Sequence, residues 1–289
     1  MLLKKTAPFI FISCLLLIFG IREISFCQEW KELKGDHFLV YCEKDDDFAA
    51  SVLNKAELYY QAIATDIGYP RYSEFWTWDK RVKIYIYPDH AAYVKAANCP
   101  EWSQGMADYN NKRILSYAFS KDFLDSILPH EMTHLIFRDF VGFKGEVPLW
   151  LDEGIAQWEE TAKRAELKRF VKELYESDSL LSVSDMMRLD IRNMKQMDRL
   201  YIRSALTKKG TRSVLFLDTS NLLNTYYAQS VSLVGFLIEK YGSDEFASFC
   251  RQLRDGKSLE DALVSVYPSH IRSLDDFEMR WREYLDEMN

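Results

Sequence analysis

Two short stretches constrain this chain most: His130-Glu131-Met132-Thr133-His134, and Trp150-Leu151-Asp152-Glu153-Gly154. On a helix, residues four apart share a face one turn apart, so His130 and His134 can aim both imidazoles at one point. Glu131 is rotated by about 100° from His130, which leaves its carboxylate beside that point and free to hold a water there. Eighteen residues separate His134 from Glu153, and Gly142, Gly145 and Pro148 among them predict a turn followed by a second helix, with Pro148 in its first turn. Glu153 then completes a His, His, Glu set with a fourth position open, the ligand pattern of a catalytic rather than a structural zinc site. A helix that merely carries two histidines on its solvent face is the alternative, and the second stretch at this distance argues against it.

HEMTH followed at this spacing by WLDEG resembles the gluzincins, in particular the aminopeptidase-N-like and thermolysin-like zinc peptidases, and most closely the small bacterial peptidase MA-like domains. The resemblance implies that His130, His134 and Glu153 bind Zn2+ and that Glu131 is the general base. It also implies that a metal-activated water hydrolyses a peptide or protein substrate. The tyrosine that stabilises the oxyanion in aminopeptidase-N-like enzymes falls on Tyr227, at the head of a helix, with Tyr226 as its competitor and a packing tyrosine as the alternative. Gln157, one turn after Glu153, stands where thermolysin-like enzymes have an aspartate that orients a ligand histidine. The glycine-led motif that binds the substrate amine in aminopeptidase-N-like enzymes is answered only by Gly105 and Asp108, the latter with a shorter carboxylate.

The first 27 residues differ from the rest. Lys4 and Lys5 precede an apolar run from Phe9 to Phe19, then Gly20 and a short polar segment, which is the pattern of a secretory signal. Ser25-Phe26-Cys27 places small residues at the cleavage positions, so Gln28 is the expected mature start, in the periplasm or outside the cell; an uncleaved anchor touching a membrane only through this segment is the alternative. Bulky Phe26 argues against lipoprotein processing at Cys27. Cys42, Cys99 and Cys250 then remain, and nothing in their spacing selects a pair, so burial-filling cysteines are expected. The net charge of −7 makes nucleic acid an unsuitable partner. One segment runs against it: Arg188, Arg192, Lys195, Arg199, Arg203, Lys208, Lys209 and Arg212, against Asp190 and Asp198. A solvated helix face is expected there, with a surface for an anionic substrate or envelope component as the alternative.

Hydrophobic spacing supplies the remaining elements. His37 to Cys42 is a strand expected to open the domain, and Phe48, Val52, Ala56, Tyr59, Ile63 and Ile67 mark an amphipathic helix ending near Gly68 and Pro70. Val82 to Tyr87 alternates as a strand, with His90 in a polar turn beyond it as a surface or capping residue. The segments 105–109 and 114–118 flank Asn110 to Arg113 as a hairpin. A helix beginning or bending at Pro129 buries Ile127, Leu128, Leu135 and Ile136, and the next runs from Pro148 to about Tyr175. A later helix carries Tyr227, Val231, Val234, Ile238 and Tyr241 inward, and Ser243, Ser258 and Ser273 are expected N-caps. The fold expected is α+β and zincin-like: a small mixed sheet in a lobe over residues 36–128, packed on the zinc helix and followed by a helical lobe over 129–289, with the cleft between them. A zincin fold that binds peptides or envelope components without catalysis, and a zinc hydrolase of other substrates, are the rival functions.

Overall fold

The structure, a computed structural model, describes residues 30–44, 46–67, 76–101, 103–118, 120, 122–141, 147–191 and 200–288. The signal-like segment with its cleavage point, the breakers Gly68, Pro70, Gly142 and Gly145, and the charged residues Arg192, Lys195, Asp198 and Arg199 lie outside the described residues. The architecture is mixed α and β, with a five-stranded sheet first and helices after it.

The sheet forms where alternation is strongest. Strands β2 (Phe38–Cys42) and β3 (Val82–Tyr87) pair in parallel, so that Phe38, Val40 and Cys42 stand opposite Val82, Ile84 and Ile86, and all six are buried. Between them runs α1 (Asp46–Asp66), whose Val52, Ala56 and Ile63, with Ile67 just beyond it, are buried as the spacing predicts. Tyr60 rather than Tyr59 is its deeper aromatic. The domain does not open on β2: β1 (Lys31–Lys34) precedes it and pairs antiparallel along its outer side. KELK has one apolar residue and no visible alternation, but its charges suit an edge that must not recruit another strand.

After β3, Asp89 accepts the Ala92 N–H and starts α2 (His90–Ala97), so His90 opens a helix instead of lying in a turn, with Nε2 2.9 Å from the Ser103 carbonyl. The expected hairpin follows as β4 (Gly105–Asp108) and β5 (Arg113–Tyr117). β5 docks in parallel on β3, giving the order β1-β2-β3-β5-β4. β4 is therefore the last strand of this sheet among the described residues, and it packs on α3 (Leu128–Val141). A π-helical turn, Phe123–Ile127, leads into α3 and places Pro129 in its first turn, where a missing N–H costs nothing. Leu128, Met132, Leu135, Ile136 and Phe140 fill its buried side.

The helix expected from Pro148 to Tyr175 is two helices. α4 (Leu149–Trp158) is capped by Pro148 and stops at Glu159; α5 (Thr161–Glu176) starts after Glu160. Arg164 holds the break by donating from Nε to the Trp158 carbonyl at 2.9 Å, satisfying a helix-end acceptor. The basic segment is not a helix face where it is described. After the short α6 (Val183–Met186), it forms a two-stranded ribbon, β6 (Tyr201–Leu206) and β7 (Arg212–Leu217), turning through Lys208, Lys209 and Gly210. Next comes α7 (Thr219–Tyr241), capped by Asp218 and begun two turns before Tyr227, which is thus well inside the helix and not at its head. α8 (Ser243–Arg254) is capped by Gly242, not by the Ser243 side chain, whereas α9 (Leu259–Val266) and α10 (Leu274–Glu287) start on Ser258 and Ser273 as expected. Among the described residues no disulfide joins Cys42, Cys99 and Cys250, and no helix is long and apolar enough to cross a membrane.

α4 packs chiefly on α7, and glycine sets how close they come. A Cβ on Gly154 would lie 2.4 Å from the Ser230 carbonyl oxygen, and one on Gly235 would lie 2.5 Å from the Trp158 ring. Backbone cannot swing aside as a side chain can. Gly154→Ala should therefore force the helices apart at a cost of about 1–3 kcal/mol, lowering the melting temperature by about 2–4 °C per kcal/mol. An unchanged thermal transition would show that the contact is looser than described.

Candidate metal centre

α3 and α4 bring the two sequence stretches together. His130 and His134 lie one turn apart on α3 with Nε2 atoms 3.1 Å from each other. Glu153 Oε2 is 3.8 Å from the first Nε2 and 3.7 Å from the second. Bonds of about 2.0–2.1 Å arranged tetrahedrally around one ion separate their donor atoms by about 3.3 Å. The three groups thus stand at the spacing such an ion requires, with nitrogen and oxygen donors of the kind it prefers.

Protonation also fits. His130 Nδ1 is 2.8 Å from Glu160 Oε1, and His134 Nδ1 is 3.1 Å from Asp152 Oδ1. With a carboxylate on each Nδ1, the proton of a neutral imidazole stays on that side and the Nε2 lone pair faces the cluster. The carboxylates are themselves held. Glu160 accepts the Ser126 hydroxyl and the Lys163 ammonium, the latter at 2.7 Å, and Asp152 is paired with Arg138. Burial would raise the Glu160 pKa, but the hydrogen bond from His130 and these partners bring it down to about 2. Burial likewise opposes ionisation of Asp152, and His134 and Arg138 outweigh it, holding this carboxyl below its ordinary range. For His134, burial disfavours the charged ring, yet Asp152, Glu153 and Glu131 raise its pKa to about 9. The cluster is built to hold positive charge.

Glu131 does not join the three donors. Its Oε2 accepts the Ala107 N–H of the edge strand β4 at 2.8 Å, which fixes the carboxylate beside the cluster. Tyr227, half-buried on α7, feels Glu153: burial and that charge push its phenol up to about 12, so the hydroxyl stays protonated and able to donate. Tyr226 is fully buried and its ring meets that of Tyr227 edge-on. Of the two, Tyr227 is the one in the field of Glu153, and Tyr226 belongs to the core.

Gln157 does not orient a histidine; its buried Oε1 makes no hydrogen bond, and Glu160 takes the role instead. Asp108 is occupied within the hairpin by Asn111 and by Arg113 at 2.9 Å, so it is not poised to anchor a substrate amine. Sequence inspection also missed Tyr109 and Arg138. The Tyr109 ring lies edge-on to His134 at 6.4 Å, and the Arg138 guanidinium sits 4.4 Å from the Tyr109 centroid. Asp152 had a visible signal, its place next to Glu153; Ala107 had none, because a backbone N–H carries no residue preference. A cavity of about 490 Å³ lined by Ser182, Arg188, Arg212 and Glu278 among others takes in none of His130, His134 and Glu153.

No curated protein matches the chain in sequence. A family model described as the peptidase MA superfamily does, over residues 76–188 and 186–287. These spans run from the approach to β3, through the edge strand and both helices that carry the cluster, into α10. On an extent that takes in more than half of its length, the chain belongs to the peptidase MA superfamily.

Proposed function

We propose that the protein is a zinc-dependent peptidase of gluzincin type with a zincin-like fold, acting on peptide or protein substrates outside the cytoplasm. What supports this most is the convergence of His130, His134 and Glu153 within 3.8 Å, with a carboxylate behind each imidazole. Calcium and magnesium prefer oxygen donors, so two imidazoles favour zinc. Zinc bound there would acidify a water and polarise the scissile carbonyl.

The chain's own groups divide the remaining work. Glu131 takes the proton of the attacking water at its carboxylate and returns it to the leaving amine. The Ala107 N–H keeps that carboxylate in place through both transfers. Tyr227 donates its hydroxyl to the oxyanion that develops on the carbonyl oxygen. The outer side of β4, the last strand of the sheet among the described residues, offers the backbone groups that Glu131 and Ser103 leave over to an extended substrate, an attachment indifferent to side-chain identity. The apolar segment Phe9 to Phe19 behind Lys4 and Lys5 supports export, with residues 28–289 as the working domain.

Metal analysis of the purified protein should find one zinc per chain, and His134→Ala or Glu153→Gln should lower that content. Glu131→Gln should keep zinc and melting temperature while cutting peptide hydrolysis by about 10⁴, the upper end for a general base. In the same assay Tyr227→Phe should cost about 10² to 10³ and Tyr226→Phe far less. A Glu131→Gln variant within about threefold of the parent would rule the mechanism out.

Glu160 is tested separately. Removing its charge should weaken zinc binding by about 10- to 100-fold, so Glu160→Gln should give up its metal to a competing chelator at correspondingly lower concentration. Equal chelator resistance in parent and variant would remove Glu160 from the site. Export is read by N-terminal sequencing of protein made in its own cells, which should begin near Gln28; an intact Met1 on soluble cytoplasmic protein would overturn it.

A further inference from the structure

Among the described residues the large hydrophobic side chains that stand exposed are Leu58, Leu200, Ile202, Val214, Phe216 and Met279, and four of these six belong to or adjoin the β6–β7 ribbon. The register explains the grouping. Ile202 is opposite Phe216 and Ser204 opposite Val214, so Ile202, Val214 and Phe216 project from one face, with Arg212 on the same side. The other face is spent on the body of the protein, where Ala205 is buried and Tyr201, Leu215 and Leu217 pack against the core, while the edge of β6 bridges to Leu181. The tip is fixed as well, since the Lys208 N–H donates to Asp178 at 2.6 Å and the Lys208 ammonium pairs with Glu176. The ribbon is thus a supported structure that presents an apolar, outward face.

Charge identifies what that face meets. In a chain of net charge −7, the ribbon carries Lys209 exposed at its tip and Arg212 exposed at the start of β7, where it also borders the cavity lined by Ser182 and Glu278. A second copy fits poorly: a stable interface buries about 800 Å² per partner, more than a handful of ribbon side chains supply, and a twofold contact would set like charges together. Exposed apolar side chains with a lysine and an arginine at one end suit the boundary between headgroups and acyl chains of an anionic bilayer. We propose that this face is a membrane-surface contact, with Ile202, Val214 and Phe216 entering the boundary and Lys209 and Arg212 meeting lipid phosphates. It adds a second contact to any made by the N-terminal segment, and it does not depend on the metal centre.

The test is sedimentation of the full chain with two kinds of vesicle: phosphatidylcholine alone, and phosphatidylcholine with about one third phosphatidylglycerol. The parent should bind the anionic vesicles, and Ile202→Ser with Phe216→Ser should weaken that binding by at least about tenfold. Lys209→Gln with Arg212→Gln should weaken binding to the anionic vesicles only, and added salt should mimic it. The N-terminal segment is common to every variant, so its own affinity cancels in the comparison. Should the apolar pair fold poorly, the exposed tip pair still decides. Binding equal to the parent in both variants, or indifference to phosphatidylglycerol, would overturn the proposal. So would a parent dimer that the apolar variant dissociates, since a second copy would then cover the face.

Discussion

Two imidazole lone pairs and a carboxylate oxygen directed at one point repel each other unless something positive lies between them. The arrangement around His130, His134 and Glu153 is stable only because every outlying group compensates for it. Glu160 and Asp152 hold the Nδ1 protons away from the cluster, and Lys163, Ser126 and Arg138 hold those carboxylates ionised in turn. Removing one partner of such a buried set leaves an uncompensated group, which costs far more than the intact pair contributes. The chain therefore carries a charge pattern that makes sense around a cation, and the neighbouring elements are placed to maintain it.

Helix packing brings further groups up to this pattern. Gly154 directly follows Glu153, and its lack of a side chain lets α4 touch the backbone of α7. That contact carries Tyr227 into the field of Glu153, while Tyr226, next to it on the helix, is turned into the core. On the other side β4, the last strand of the sheet among the described residues, fixes Glu131 through Ala107. The candidate base comes from one helix, its restraint from a strand and the candidate oxyanion donor from another helix. Such a site holds its geometry only if the packing between those elements is close.

Much of this was legible in the sequence because it follows local rules. Two histidines four apart, an alternating VKIYIY strand and serine caps before α9 and α10 each report a helix or strand period, or a backbone donor, with no knowledge of the tertiary fold. What failed depended on tertiary context. KELK forms a strand because β2 offers a side to pair with, and α7 begins at Thr219 because Asp218 caps it there, ahead of the apolar stripe that marked its start. The ribbon was hidden because both of its faces carry apolar side chains, Val214 and Phe216 outward and Leu215 and Leu217 inward, so the period of two in Arg212 to Leu217 shows in burial and not in polarity.

The break between α4 and α5 is the least legible feature and one of the most consequential for the site. In one continuous helix, Glu160 would follow Glu153 by seven residues, on the same face but about 10.5 Å further along the axis. Gln157, a single turn away, would then be the residue nearest the histidines, and it has no charge with which to hold an imidazole proton. The chain instead leaves the helix at Glu159, with Arg164 closing the exposed carbonyl of Trp158, and Glu160 reaches His130 Nδ1 at 2.8 Å. The interruption thus replaces a neutral amide with a carboxylate. The run from Ile155 to Glu176 holds no glycine or proline and gives no propensity reason to stop at Glu159, so the buried contacts of Glu160 with Ser126, His130 and Lys163 are what favour the break over continuous helix.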